Sequence, residues 1–96
     1  MALLDLLGRR WALRVLWELR EEGAESFRDL QLRCGGISSS VLSQRLSELR
    51  EAGIVDREAT GGYRLTTEGR SLLRALAPVD AWAKRWARRT ARTARG

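Results

Sequence analysis

The apolar positions of this chain fall into short helical stripes separated by glycines. "ALLDLL", near the N-terminus, reads as a brief apolar helix that Gly8 interrupts. In "RRWALRVLWELREEG", Leu13, Leu16, Trp17 and Leu19 recur at helical spacing, and Gly23 ends the run. Trp11 and Trp17 are assigned to the core. Ser26 is placed to cap "FRDLQLRC", whose stripe is Phe27, Leu30 and Cys34, after which Gly35 and Gly36 turn the chain. The next helix is the most completely specified. Ser38 is its N-cap, Ile37 before the cap can pack on Leu42, and Gly53 closes the helix. Leu42, Leu46 and Leu49 follow at i, i+4 and i+7 and make one buried stripe. At about 100° per residue, Ser40, Ser43, Gln44 and Ser47 lie on the opposite side, with Arg50 near them and Arg45 at the flank. Serine is an indifferent helix former for a face that need only be wet, but serine and glutamine serve well where a helix touches a polar partner.

"IVDREATGGYRLTTEG" then reads as a hairpin running into a helix. A two-residue Gly-Gly turn would set Glu58 opposite Leu65 and bring a charge beside the core. A three-residue loop, Thr60-Gly61-Gly62, instead aligns Val55, Ala59, Tyr63 and Leu65 on one face, and is the expected register because a half-buried hairpin keeps its apolar residues together. Arg64 then points outward. Thr66 caps a last helix in which Leu72, Leu76, Val79, Trp82 and Trp86 form a stripe, with Pro78 expected to kink or divide it. The order predicts a mainly α fold with a small β-hairpin, a winged helix-turn-helix. Residues 1–87 make the DNA-binding and dimerising domain, and 88–96 a basic, poorly ordered tail.

Composition narrows the chemistry. Ninety-six residues allow one modest core. A single cysteine and no histidine leave no intrachain disulfide, no His-assisted nucleophile and no expected metal or cofactor site. No apolar run approaches the ~20 residues that span a bilayer, and the N-terminal charges do not suit a secretory signal, so a cytoplasmic protein is expected. The net charge is +6, and six of the 18 basic residues lie in "KRWARRTARTARG", leaving twelve to balance the twelve acids of residues 1–83. A polyanionic partner is therefore signalled mainly by the tail, through sequence-independent attraction. An enzyme is not expected, since phosphate-binding loops and clustered carboxylates are also lacking.

The candidate DNA contacts are Ser39, Ser40, Ser43, Gln44 and Ser47. Short polar side chains on one helix suit the base edges of a major groove, where glutamine can bond adenine bidentately. Arg50 and Arg64 are either phosphate ligands or solvated charges. Arg45 either reaches a phosphate or pairs with Asp29 or Glu48. Arg28 opens the second helix, whose N-terminal amides can face a phosphate. Cys34, at the end of an apolar stripe, is read as a packed thiol rather than a redox sensor. Trp82 and Trp86 are more than a small monomer readily buries, so a second copy's terminal helix, with Leu3, Leu4 and Leu7, is expected to cover them; packing within one chain is the alternative. A winged helix whose polar face binds another protein is the competing function.

The Trp11 helix, "FRDL", "GISSSVLSQRLSEL", "AGIV" and "YRLTTEG" together resemble the HxlR family of small bacterial transcriptional regulators over roughly residues 8–87. The resemblance implies a homodimer, its interface formed by the terminal helices, on a pseudo-palindromic element of double-stranded DNA, with the third helix of the motif in the major groove and the wing beside the backbone. It identifies no small-molecule effector. Two departures are visible. The seven residues before Gly8 hold no cysteine, which takes redox sensing through an N-terminal cysteine out of reach, and the wing tip "TGG" is short for insertion into a groove.

Overall fold

A computed structural model of the chain describes residues 2–95, and side chains as far as residue 91. The elements are α1 (Ala2–Leu7), α2 (Ala12–Glu18), α3 (Phe27–Cys34), α4 (Ser39–Glu51), β1 (Val55–Arg57), β2 (Tyr63–Leu65) and α5 (Thr67–Arg95). This is the winged helix-turn-helix order. The two caps of the motif form as the sequence predicts: Asp29 N–H donates to Ser26 Oγ at 3.1 Å, and Val41 N–H to Ser38 Oγ at 3.2 Å. Each satisfies an amide that the first helical turn leaves unpaired. Leu42, Leu46 and Leu49 are buried and meet Val15, Leu16 and Leu19 of α2 and Leu30 and Cys34 of α3, with Val55, Tyr63 and Leu65 of the hairpin closing the core.

Helix α2 is rotated from its expected setting. Its buried face is Ala12, Val15, Leu16 and, just past the helix, Leu19, whereas Leu13 is 50 % and Trp17 43 % exposed. A stripe chosen for the largest side chains gives the wrong face here. The small Ala12 and compact Val15 line the face toward α3 and α4, and the bulkier Leu13 and Trp17 are displaced to its outer side. Trp11, only partly buried against the core, is the N-cap and takes φ +77°, a left-handed conformation uncommon for an aromatic residue.

The hairpin also differs from expectation. Val55 pairs with Leu65, Asp56 with Arg64 and Arg57 with Tyr63, a slip of two residues from the expected register. A two-residue slip preserves facing, so Val55, Tyr63 and Leu65 are still buried and Arg64 still points out. Ala59 moves into the turn, and the Arg57 guanidinium takes the place beside the Tyr63 ring, 5.5 Å from its centroid. The cause is tertiary. Tyr63 exchanges both backbone hydrogen bonds with Glu25, at 2.8 and 2.7 Å, so an isolated bridge from the segment before α3 meets the first residue of β2. Gly62 lies so close to that segment that a Cβ there would come 2.7 Å from Ala24 Cβ. Gly62 therefore belongs to the sheet edge, and Ala59-Thr60-Gly61 make the turn, closed by Glu58 N–H donating to the Gly62 carbonyl at 2.7 Å, with Gly61 at φ +98°.

Thr66 caps α5, its hydroxyl accepting from Gly69 N–H at 3.0 Å and lying 2.6 Å from the Gly53 carbonyl as donor. Gly69 itself is pressed onto Ile54, the residue before β1, and a Cβ there would overlap the Ile54 carbonyl oxygen. Gly69→Ala is therefore expected to lower stability by about 1–3 kcal/mol from overpacking, outweighing the gain of about 1 kcal/mol in helix propensity. Urea unfolding measures it; an unchanged midpoint would mean that α5 can move off Ile54. Helix α5 runs without division through Pro78, which is exposed, so the carbonyl deprived of a donor has access to water. Its 29 residues, about 44 Å at 1.5 Å each, set the long dimension of a molecule measuring 53 × 26 × 26 Å. The helical backbone includes residues 88–95, within the basic segment.

Candidate nucleic-acid interface

The buried leucines fix the roll of α4, and the roll decides which side chains face out. Ser40, Ser43, Gln44, Ser47 and Arg50 are all exposed. Among the described residues, Ser43, Gln44, Ser47 and Arg50 have no hydrogen-bond or ion-pair partner through their side chains. Ser40 Oγ lies 3.4 Å from the capping Ser38 Oγ, and Ser39 accepts a bond from Gln31 Nε2 at 3.1 Å. Gln31 also donates to the Ile37 carbonyl at 3.3 Å. It thereby ties α3 to the turn and to the first residue of α4, a role the sequence reading missed, because an interior glutamine of a polar helix face carries no signal of its own.

Arg45 is resolved in favour of its internal partners. Its guanidinium pairs with Glu48, its Nε donates to the Arg10 carbonyl at 2.8 Å, and its side chain is only 14 % exposed. Glu48 also meets Arg9 Nε at 3.0 Å. The flank of α4 therefore clamps the Arg9–Arg10 segment directly before the left-handed Trp11. Of the other candidates, Arg64 pairs with Glu58 at 3.0 Å on the wing, and Arg28 is exposed at the start of α3 without an ion pair among the described residues.

Cys34 is buried in the core as the sequence predicts. Burial pushes its thiol up, the Glu18 carboxylate adds to the rise, and Arg14 opposes it. The thiolate that would be needed for reactivity is thus disfavoured. No group of acids and cysteine able to hold a metal ion is found among the described residues.

Away from α4, Leu3 and Leu4 of α1 and Val79, Trp82 and Trp86 of α5 are exposed, while Leu7 packs partly against the core. Trp82 and Trp86 stack on each other, centroids 6.2 Å apart and planes within 8°. Packing within one chain therefore leaves both largely uncovered, at 57 % and 55 % exposed.

A capped helix-turn-helix that turns a polar face outward beside a short wing, on a chain with a basic excess, defines a DNA-binding transcriptional regulator. The sequence profile of the HxlR-like helix-turn-helix family matches residues 6–91, and the chain belongs to that family. It is 31 % identical over 88 residues to the HTH-type transcriptional regulator YvaP of Bacillus subtilis, covering 85 % of this chain and 81 % of YvaP. The crystal structure of quinone-bound YodB from B. subtilis superposes with a TM-score of 0.79 at 31 % identity, over 88 % of this chain and 92 % of that one. A regulator of the MarR family from Enterococcus faecalis V583 superposes with a TM-score of 0.80 at 32 % identity, over 93 % and 86 % of the two chains. These relatives are regulators of transcription rather than enzymes, and no helix among the described residues is long and apolar enough to cross a membrane.

Proposed function

We propose that the protein is a cytoplasmic, sequence-specific regulator that binds double-stranded DNA as a homodimer, each subunit setting α4 in the major groove of one half of a pseudo-palindromic operator. The observation that carries this reading is the division of α4: three fully buried leucines on one side, and Ser43, Gln44, Ser47 and Arg50 exposed on the other. A helix fits the major groove, and glutamine and serine there meet base-edge donors and acceptors. Ser39 and Ser40, at the helix start, are placed for the backbone or the first base. Arg50 and Arg28 supply phosphate contacts. Arg64 does so by exchanging Glu58 for a phosphate. Arg45 acts through its hold on Arg9 and Arg10, positioning α4 rather than touching DNA. The exposed faces of α1 and α5 join the two subunits, spacing the half-sites by about one helical turn of 34–36 Å, and the basic segment 88–96 adds attraction without regard to sequence.

Selection from a random DNA pool tests the reading at once, since it reports half-site sequence, symmetry and spacing. Against the selected site, Gln44→Ala is expected to lose about 1–3 kcal/mol of discrimination at one base pair. Arg50→Ala should weaken selected and scrambled DNA alike. A pool that yields no enriched sequence at moderate salt would refute specific readout, and a uniform loss for Gln44→Ala would move that residue to the backbone.

A further inference from the structure

A groove of about 650 Å³ runs between α2 and α5, lined by neither the polar face of α4 nor Trp82 and Trp86. Its floor and walls are apolar, from Leu13, Trp17, Leu73 and Leu76. Leu13 and Trp17 are the two large side chains that the packing of α2 turned outward. Trp17 is also held in place there. The Arg20 guanidinium lies 4.3 Å from its ring centroid and donates to its carbonyl at 3.0 Å, so the wall stands ready without a ligand.

The charges around this groove are lopsided. Arg14, Arg20, Arg70 and Arg74 line it against a single acid, Asp80. Asp80 already pairs with Lys84 at 3.2 Å, while Arg14 is matched by Glu18 at 2.9 Å and Arg20 by Glu21 at 3.6 Å. Arg70 and Arg74 meet no acid within ion-pair distance among the described residues. They are one helical turn apart on α5, the spacing that puts two side chains on the same face. Two uncompensated guanidinium groups beside an apolar trough match a molecule with one anionic end and a hydrophobic body, because carboxylates take forked, charge-assisted bonds from arginine.

We propose that this groove is a binding site for a small apolar carboxylic acid, its carboxylate held by Arg70 and Arg74 and its body laid against Leu13, Trp17 and Leu73. The groove shares Leu76 and Val79 with the apolar stripe of α5, but neither Trp82 nor Trp86 lines it, and the arginines Arg70 and Arg74 lie off the stripe. A ligand seated there touches both the helix that packs on α3 and α4 and the long helix that leaves the body.

The test uses the full chain with no DNA present, so its outcome is independent of the operator reading. 1-Naphthoate and its uncharged counterpart 1-naphthalenemethanol are titrated calorimetrically. The acid is expected to bind saturably, one per chain, and at least about tenfold tighter than the alcohol, the advantage of hydrogen bonds to a charged group. The double variant Arg70→Gln, Arg74→Gln should lose that advantage and leave the alcohol's binding unchanged; circular dichroism confirms its fold. Equal affinity for acid and alcohol, no saturation, or an unaltered acid affinity in the double variant overturns the proposal. So does acid binding that appears only on dilution to monomer, which would make the groove a contact between two copies of the chain.

Discussion

Replacing Trp82 and Trp86 together with glutamate is expected to break the proposed dimer into monomers and to weaken binding to a two-half-site operator by about 10²–10⁴-fold. The physical grounds are local. Both rings lie more than half exposed on a helix that extends away from the core, and Val79 and, on α1, Leu3 and Leu4 add further exposed apolar surface. Val79, Trp82 and Trp86 recur at i, i+3 and i+7 on one helical face, and exposed apolar surface of this kind costs free energy in water and favours association. The rings stack on each other and form no part of the buried core, so removing them leaves the winged body intact. Circular dichroism and the unfolding midpoint should therefore change little while the sedimenting mass halves. The large loss on DNA follows because two linked half-site contacts become one, with no α4 contact altered. Binding to an isolated half-site should be nearly unaffected. A wild-type chain that sediments as a monomer, or a double variant that remains a dimer, would remove the terminal helices from the assembly.

Leu46→Ala should cost about 2–5 kcal/mol of folding stability, the range for deleting most of a buried leucine and leaving a cavity. That is a large share of the 5–15 kcal/mol typical of a whole domain. Leu46 is among the largest fully buried side chains, at the centre of a helix that packs on both α2 and β1. Ser47, its neighbour, faces outward, and Ser47→Ala should move stability by no more than about 0.5 kcal/mol. Urea unfolding of the two variants measures the contrast. Similar losses for both would mean that α4 is rolled from the orientation described, and the polar face proposed to read DNA would no longer be the one turned outward.

The contrast between α4 and α2 shows why one helix was legible and the other was not. In α4 the buried positions are all leucine and the outward ones nearly all polar, so periodicity has a single solution. In α2, Ala12, Leu13, Val15, Leu16, Trp17 and Leu19 are all apolar, and two stripes compete. Size favours the one with Trp17; packing distance favours the one with Ala12. Only the approach of α3 and α4 resolves that competition, and the losing stripe becomes a wall of the α2–α5 groove. The same holds at Arg45, where spacing left phosphate and Glu48 equally available, and the nearness of the Arg10 carbonyl decided it.

Sequence alone determined the order of elements, the caps at Ser26, Ser38 and Thr66, the buried leucines of α4 and the side that faces out, because each depends on residues within one or two helical turns. Tertiary structure decided the roll of α2, the hairpin register set by Glu25 and Gly62, the internal fate of Arg45 and the unmatched pair Arg70 and Arg74. Each of these is settled by groups far apart in the chain, whose packing and hydrogen-bonding partners exist only once the helices have met.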